Sequence, residues 1–440
     1  MRLLLAFGLV ALAGCAASAP TAPAGTGTPA ASPPLSACTD GRATGPDGTV
    51  YTCSGVDLLA HLPLAGMSAG SGNDIWGWTD PTTNREYALV GLNDGTFFVD
   101  VTNPTAIVPL GKLPTATSPS VWRDIKVYRD HAFIVSEAPG HGMQVFNLAR
   151  LRGLTADAAR RFEADARYTG IGNAHNIVIN EATGFAYANG ASTTMPDRPA
   201  ACGAPGFHAI NIQSPLAPAF AGCFSDATKD GSPVTAPGYT HDGQCIVYDG
   251  PDADYTGREI CIASNEDVVS IFDATDKGNV RLVAQAAYPN DAYTHQAWFT
   301  EDRRYVLAND ELDEMNGLTP SQRTLVFDMA DLDEPEFVFA FDSGLTTIDH
   351  NLYIHNGLAY MSNYESGLRI VDVRVVTEEA MREVASFDTF PRTTTAQFNG
   401  QWSNYPYFRS GTIIANDINN GLFVLRVQPG AIPGIPTRRP

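Results

Sequence analysis

Basic residues are scarce in this chain. Its 28 Lys and Arg stand against 48 Asp and Glu, for a formal charge of −20. No run of them is long enough to neutralise a row of phosphates, which excludes nucleic acid as the expected partner. The acidity instead favours solubility in an exposed compartment, or affinity for cations. Catalytic signatures are missing too: there is no Ser nucleophile elbow, no P-loop and no dinucleotide fingerprint. No Cys-x-x-Cys occurs among the seven cysteines, so a thiolate metal site is not indicated. Helical periodicity is nearly absent, and only Thr155 to Arg167 reads as a short helical insert.

The N-terminus is differently composed. Residues 1–14 carry Arg2, an apolar run too short to span a bilayer of about 30 Å, and then Leu12-Ala13-Gly14 before Cys15. This reads as a lipoprotein signal peptide with Cys15 as the lipidated N-terminus, so the membrane is a partner through that lipid. The expected location is a bacterial outer membrane or cell surface. Residues 15–37, rich in Ala, Pro and Thr, cannot bury a core and form a disordered tether. With Cys15 used, six cysteines remain, an even number suited to an exported protein. Six cysteines allow fifteen pairings, and spacing favours Cys38–Cys53, Cys202–Cys223 and Cys245–Cys261. The last pair flanks a turn and would staple one hairpin.

What the chain has in abundance is repetition. The stretch Thr240-His241-Asp242-Gly243-Gln244-Cys245-Ile246-Val247 recurs as Ala174-His175-Asn176-Ile177, Thr294-His295-Gln296-Ala297 and Asp349-His350-Asn351-Leu352. Copies without histidine begin near Asp74, Asp124 and Gln401, and neighbouring copies lie about 50 to 66 residues apart. Each opens a set of short apolar runs, and the third run usually ends in an acid: Asp100, Asp273, Asp328, Asp372. Seven such units of four strands predict an all-β, seven-bladed β-propeller over residues 38–427. The last unit lacks a fourth strand, and residues 57–64 resemble one, so an N-terminal strand is expected to complete the seventh blade. Residues 428–440 read as a flexible tail.

The bracketed start from Cys38 to Cys53, the segments Asn73-Asp74-Ile75-Trp76-Gly77-Trp78 and Tyr87-Ala88-Leu89-Val90-Gly91-Leu92, and strands such as Leu368-Arg369-Ile370-Val371-Asp372 resemble the choice-of-anchor B family and its LVIVD repeats. The resemblance covers nearly the whole chain after the tether. It implies related domains held at surfaces by different anchors, here the lipid on Cys15, and it implies no reaction.

Propeller topology places the leading residues at the top mouth of the axis. His175, His241, His295 and His350, from four consecutive units, are therefore candidate ligands for a transition metal. Asp124, Glu137, Glu266, Asp310 and Glu365 are the expected supporting carboxylates. Asp310, Glu311, Asp313 and Glu314 could offer oxygens to Ca²⁺, as more weakly could Asp252 and Asp254. The remaining histidines, and Trp76, Trp78, Trp298 and Trp402, read as packing residues. Two function classes follow: a binding module whose top face takes a protein, glycan or matrix ligand, and a metalloenzyme acting on a polysaccharide or an oxidisable small molecule.

Overall fold

The second strand of each repeat shows how the chain solves its burial problem. Glu86–Leu92 and Glu259–Ser264 are buried at every residue, so both faces of their sheets must be covered. Sheets arranged radially, each packed between two others, satisfy this requirement. In the computed structural model, which describes residues 34–226 and 238–434, seven sheets are so arranged. A separate apolar cluster fills each of the seven gaps between neighbouring sheets. The protein is a seven-bladed β-propeller. The signal segment, Cys15, most of the tether and residues 435–440 lie outside the described residues.

The inner strands are Gly72–Thr79, Arg123–Tyr128, Asn176–Asn180, Asp242–Val247, Thr294–Phe299, Leu352–His355 and Gln401–Tyr405. Each touches the next, and the last touches the first. We number the blades one to seven in this order. In blade seven the outermost strand is Val56–Leu62, antiparallel to Gly421–Val427. Its register shifts between Leu58 and Ala60. The third and fourth strands of blades one, three, four, five and six carry the equivalent irregularity, which strengthens strand twist. Just upstream, Val50–Ser54 adds to the outer edge of blade six, with Cys53 opposite Phe387. Cys38–Cys53 ties this segment down. The fold begins before Cys38, since Ser36 and Leu58 exchange two backbone hydrogen bonds of 3.0 Å.

The acid ending each third strand has a local role. The carboxylates of Asp100, Asp273, Asp328 and Asp372 accept from the backbone N–H two residues on, at 2.8 to 3.2 Å. Each also pairs with an arginine, namely Arg85, Arg258, Arg304 and Arg374. The repeat consensus is thus a turn device.

Residues 155–167 are not helical. They form an extended strap ending in strand Ala166–Tyr168. Lys112 and the strap exchange backbone bonds through Arg160 and Phe162, both 2.9 Å. Phe162 packs edge-on against Phe98 and Phe146. With six charged residues and no apolar stripe, the segment is held by one aromatic anchor and the edge of blade one, which override local propensity. The three disulfides are Cys38–Cys53, Cys202–Cys223 and Cys245–Cys261. They point to an oxidising, extracytoplasmic compartment. Among the described residues no helix is long and apolar enough to cross a membrane.

Candidate functional site

Repetition of the strand entrance stacks four imidazoles in an arc at one end of the axis. Ring centroids are 4.2 Å apart for His175 and His241, 4.1 Å for His241 and His295, and 4.2 Å for His295 and His350. Trp402 occupies the next place, 5.3 Å from His350. Carbonyl oxygens set two tautomers. His241 Nδ1 lies 2.9 Å from the carbonyl of His295, and His350 Nδ1 lies 2.6 Å from that of Trp402. A carbonyl only accepts, so both Nδ1 atoms carry the proton and both Nε2 atoms keep a lone pair. Burial holds these rings neutral. It pushes His241 and His295 well below the usual imidazole range, helped by their histidine neighbours, and pushes His350 down to about 3.

Glu311 closes the arc. Its Oε1 is 3.8 Å from His295 Nε2 and 3.6 Å from His350 Nε2, and it accepts from the Tyr364 hydroxyl at 2.6 Å. The carboxylate oxygen thus faces one nitrogen that holds a lone pair and cannot donate to it. Burial drives the Glu311 acid up to about 7, against the Tyr364 bond. His295 Nδ1 is buried without a hydrogen-bond partner. In this region His295, Glu311 and His350 form the set of described residues whose ligand atoms all lie within 4.8 Å of one another. Ligands about 2.1 Å from one ion stand about 3.3 Å apart, so small side-chain shifts would close them on a metal. Two imidazoles and a carboxylate suit Fe, Zn or Mn and leave further positions open. His175 and His241 continue the arc but do not join that set.

The expected supporting carboxylates separate. Glu137 accepts from His175 Nδ1 at 2.6 Å. Glu266 bridges to Thr294 through its backbone and acts on Tyr293, at the rim. Asp310 accepts from the backbone of Ala292, Tyr293 and Leu312 and from Tyr288. Glu365 takes the Thr395 and Asn399 donors.

Asp124 lies one residue beyond the histidine position. Its Oδ2 accepts from Ile177 N at 2.7 Å, as Gln296 Oε1 does from Leu352 N at 2.6 Å. Asp124 therefore matches Gln296, and Arg123 is the residue that matches the histidines. Below the arc, Asp124 belongs to a buried belt in which Lys126 Nζ reaches Asp124 at 2.5 Å and Asp74 at 3.3 Å, while Gln296 donates to Asp242. Further along the axis Trp76, Trp298, Tyr353 and Tyr405 pack edge to face.

The acidic set written for Ca²⁺ also divides. Asp310 is saturated by N–H and O–H donors, Glu311 joins the histidines, and Asp313 and Glu314 meet Asp349 instead. Asp252 accepts from the backbone of Asp254 and Leu332 and neighbours the exposed Asp331 and Asp333.

Sequence reasoning missed Glu311 as a partner of the histidines, although it directly follows the acid that ends the second strand of blade five. It also missed the rim. Trp122 and Phe398 are each more than 40% exposed, beside His175 (6.5 Å) and Tyr364 (5.4 Å) respectively.

No protein-family model matches this chain, and no curated protein is similar to it in sequence. Solved structures are similar at low identity. The β-propeller domain of Myceliophteria thermophila Cps50 (Swd1) shares 11% identity, covering 78% of this chain and 94% of that one with a TM-score of 0.48. A computationally designed protein, Ika8, shares 8%, covering 89% and 95% with a TM-score of 0.45.

Proposed function

We propose that this chain is a lipid-anchored, extracytoplasmic β-propeller of the choice-of-anchor B type, and that its top face recognises a ligand through a transition metal. Glu311 facing the Nε2 atoms of His295 and His350 carries the reading: two imidazoles and a carboxylate converge closely enough for one cation to join them. The exposed rings of Trp122 and Phe398 lie beside His175 and Tyr364 respectively, and their flat apolar faces suit a sugar ring or an aromatic group. The three disulfides support the compartment. The test is binding of the immobilised protein to arrayed envelope glycans and matrix proteins, with and without chelator. Ligands held by the wild type and lost by Trp122→Ala, Phe398→Ala and chelation support the reading. Binding indifferent to all three contradicts it.

One observation favours a second reading. A set of three protein ligands leaves coordination positions for a substrate, the arrangement of catalytic rather than closed structural sites. In that reading the metal serves as Lewis acid or redox centre, and turnover, not retention, is lost on chelation.

A further inference from the structure

A second group of acids joins the same top loop to the turn before His350, and its ligand atoms are all oxygen. Asp313 is provided for: its Oδ1 accepts from Glu314 N at 2.8 Å and its Oδ2 from Arg323 Nε at 2.6 Å. The other guanidinium nitrogens of Arg323 donate to the Pro289 and Asn290 carbonyls, so that arginine compensates one carboxylate. Glu314 and Asp349 have no such partner. Glu314 is nine-tenths buried, and neither of its carboxylate oxygens has a hydrogen-bond donor. Asp349 is 1% exposed, and its Oδ1 has no donor either. Its Oδ2 takes Asn309 Nδ2 at 2.8 Å, which sets the Asn309 amide against the group with its own Oδ1 unpartnered. Oxygens of Asp313, Glu314 and Asp349 all lie within 4.8 Å of one another.

Buried acceptors without donors are costly, and buried like charges more so. One hard cation would satisfy these oxygens together. An all-oxygen set with carboxylates and an amide is the chemistry of Ca²⁺, which accepts six to eight oxygens in flexible geometry and takes waters in the rest. The nitrogen-rich histidine set suits a softer ion. We propose that Asp313, Glu314 and Asp349, with Asn309, form a Ca²⁺ site. An ion there would tie the loop after Asp310 to the turn before His350. That loop already curls on itself, with Leu318 N on the Asp313 carbonyl at 2.8 Å and Gly317 N on that of Glu314 at 3.1 Å.

The test is calorimetric titration of the purified, chelator-stripped protein with CaCl₂. We expect about one equivalent to bind, and Glu314→Gln and Asp349→Asn each to weaken it by about tenfold or more, because affinity follows ligand charge. Glu311→Gln, which touches only the histidine set, is expected to leave it unchanged. Melting in chelator shows whether the variants fold. Removing a repelling charge should leave them at least as stable as the wild type, while CaCl₂ should raise the melting temperature of the wild type alone. No binding up to about 10 mM CaCl₂, beyond the weakest extracellular sites, would overturn the proposal. So would binding that both folded variants retain in full.

Discussion

His241 donates its Nδ1 proton to the main-chain carbonyl of His295, in the next blade, at 2.9 Å. His350 does the same to Trp402. Because the strand entrances repeat, the bond repeats, and two imidazoles are locked with their Nε2 lone pairs free. The tautomer is therefore a consequence of blade geometry. His175 meets Glu137 instead, and the Nδ1 of His295 alone in the row has no partner. An ion on its Nε2 would leave that Nδ1 still without an acceptor, which marks His295 as the least restrained ring of the centre.

Acid sensitivity follows from two histidines outside the arc. Burial pushes His141 and His208 each down to about 4. Both lie below the unfolded value of about 6.5, so the unfolded chain binds more protons between those limits. The stability they contribute is complete above about pH 6.5 and is lost as pH falls towards 4. Between pH 7 and pH 5 the urea midpoint of the wild type is expected to lose ground to that of His208→Gln, which can still bond Tyr168. A constant difference between the two would count against the assignment.

Lys126 neutralises the axial belt. Its ammonium is the cation that reaches both Asp124 and Asp74, all three being nearly inaccessible. Burial, with Asp124 beside it, holds the Asp74 acid well above the usual carboxylate range, so Lys126→Met leaves the buried Asp124 carboxylate without its cation and is expected to cost about 3–5 kcal/mol in urea unfolding. Adding Asp124→Asn should recover part of that loss. Equal stability of Lys126→Met and wild type would mean that the belt is not ionised as described.

The Cys38–Cys53 bridge closes a sequence separation of 15 residues beside the strand that completes blade seven. Replacing both cysteines with serine should lower stability by about 3 kcal/mol, the loop-closure value for that length. Denaturant unfolding of the double variant checks this. A loss much smaller would show that the Val56–Leu62 strand is held without the bridge.

Much of this was legible in the sequence, for a physical reason. A blade buried on both faces needs continuous apolar strands, and the runs of Glu86–Leu92 and Glu259–Ser264 declare themselves. The four histidines stood out because the repeat places them identically. Asp124 misled because a degenerate copy leaves register uncertain by one residue, and one residue decides which side chain heads the strand. Glu311 and Asp349 were harder. Their partners come from different blades, and four acids within five residues of one loop carry no mark of which way each turns. Residues 155–167 were misread because their anchor, the Phe98–Phe146 pair, is distant in sequence.

On the proposed reading, His295, Glu311 and His350 hold a transition metal. Elemental analysis of the purified protein, its His350→Ala variant and its His175→Ala variant tests it most directly. About one equivalent is expected in the wild type, with retention in His175→Ala and loss in a His350→Ala protein whose circular dichroism is unchanged. Absence of metal from reconstituted wild type, or its retention by His350→Ala, would contradict it.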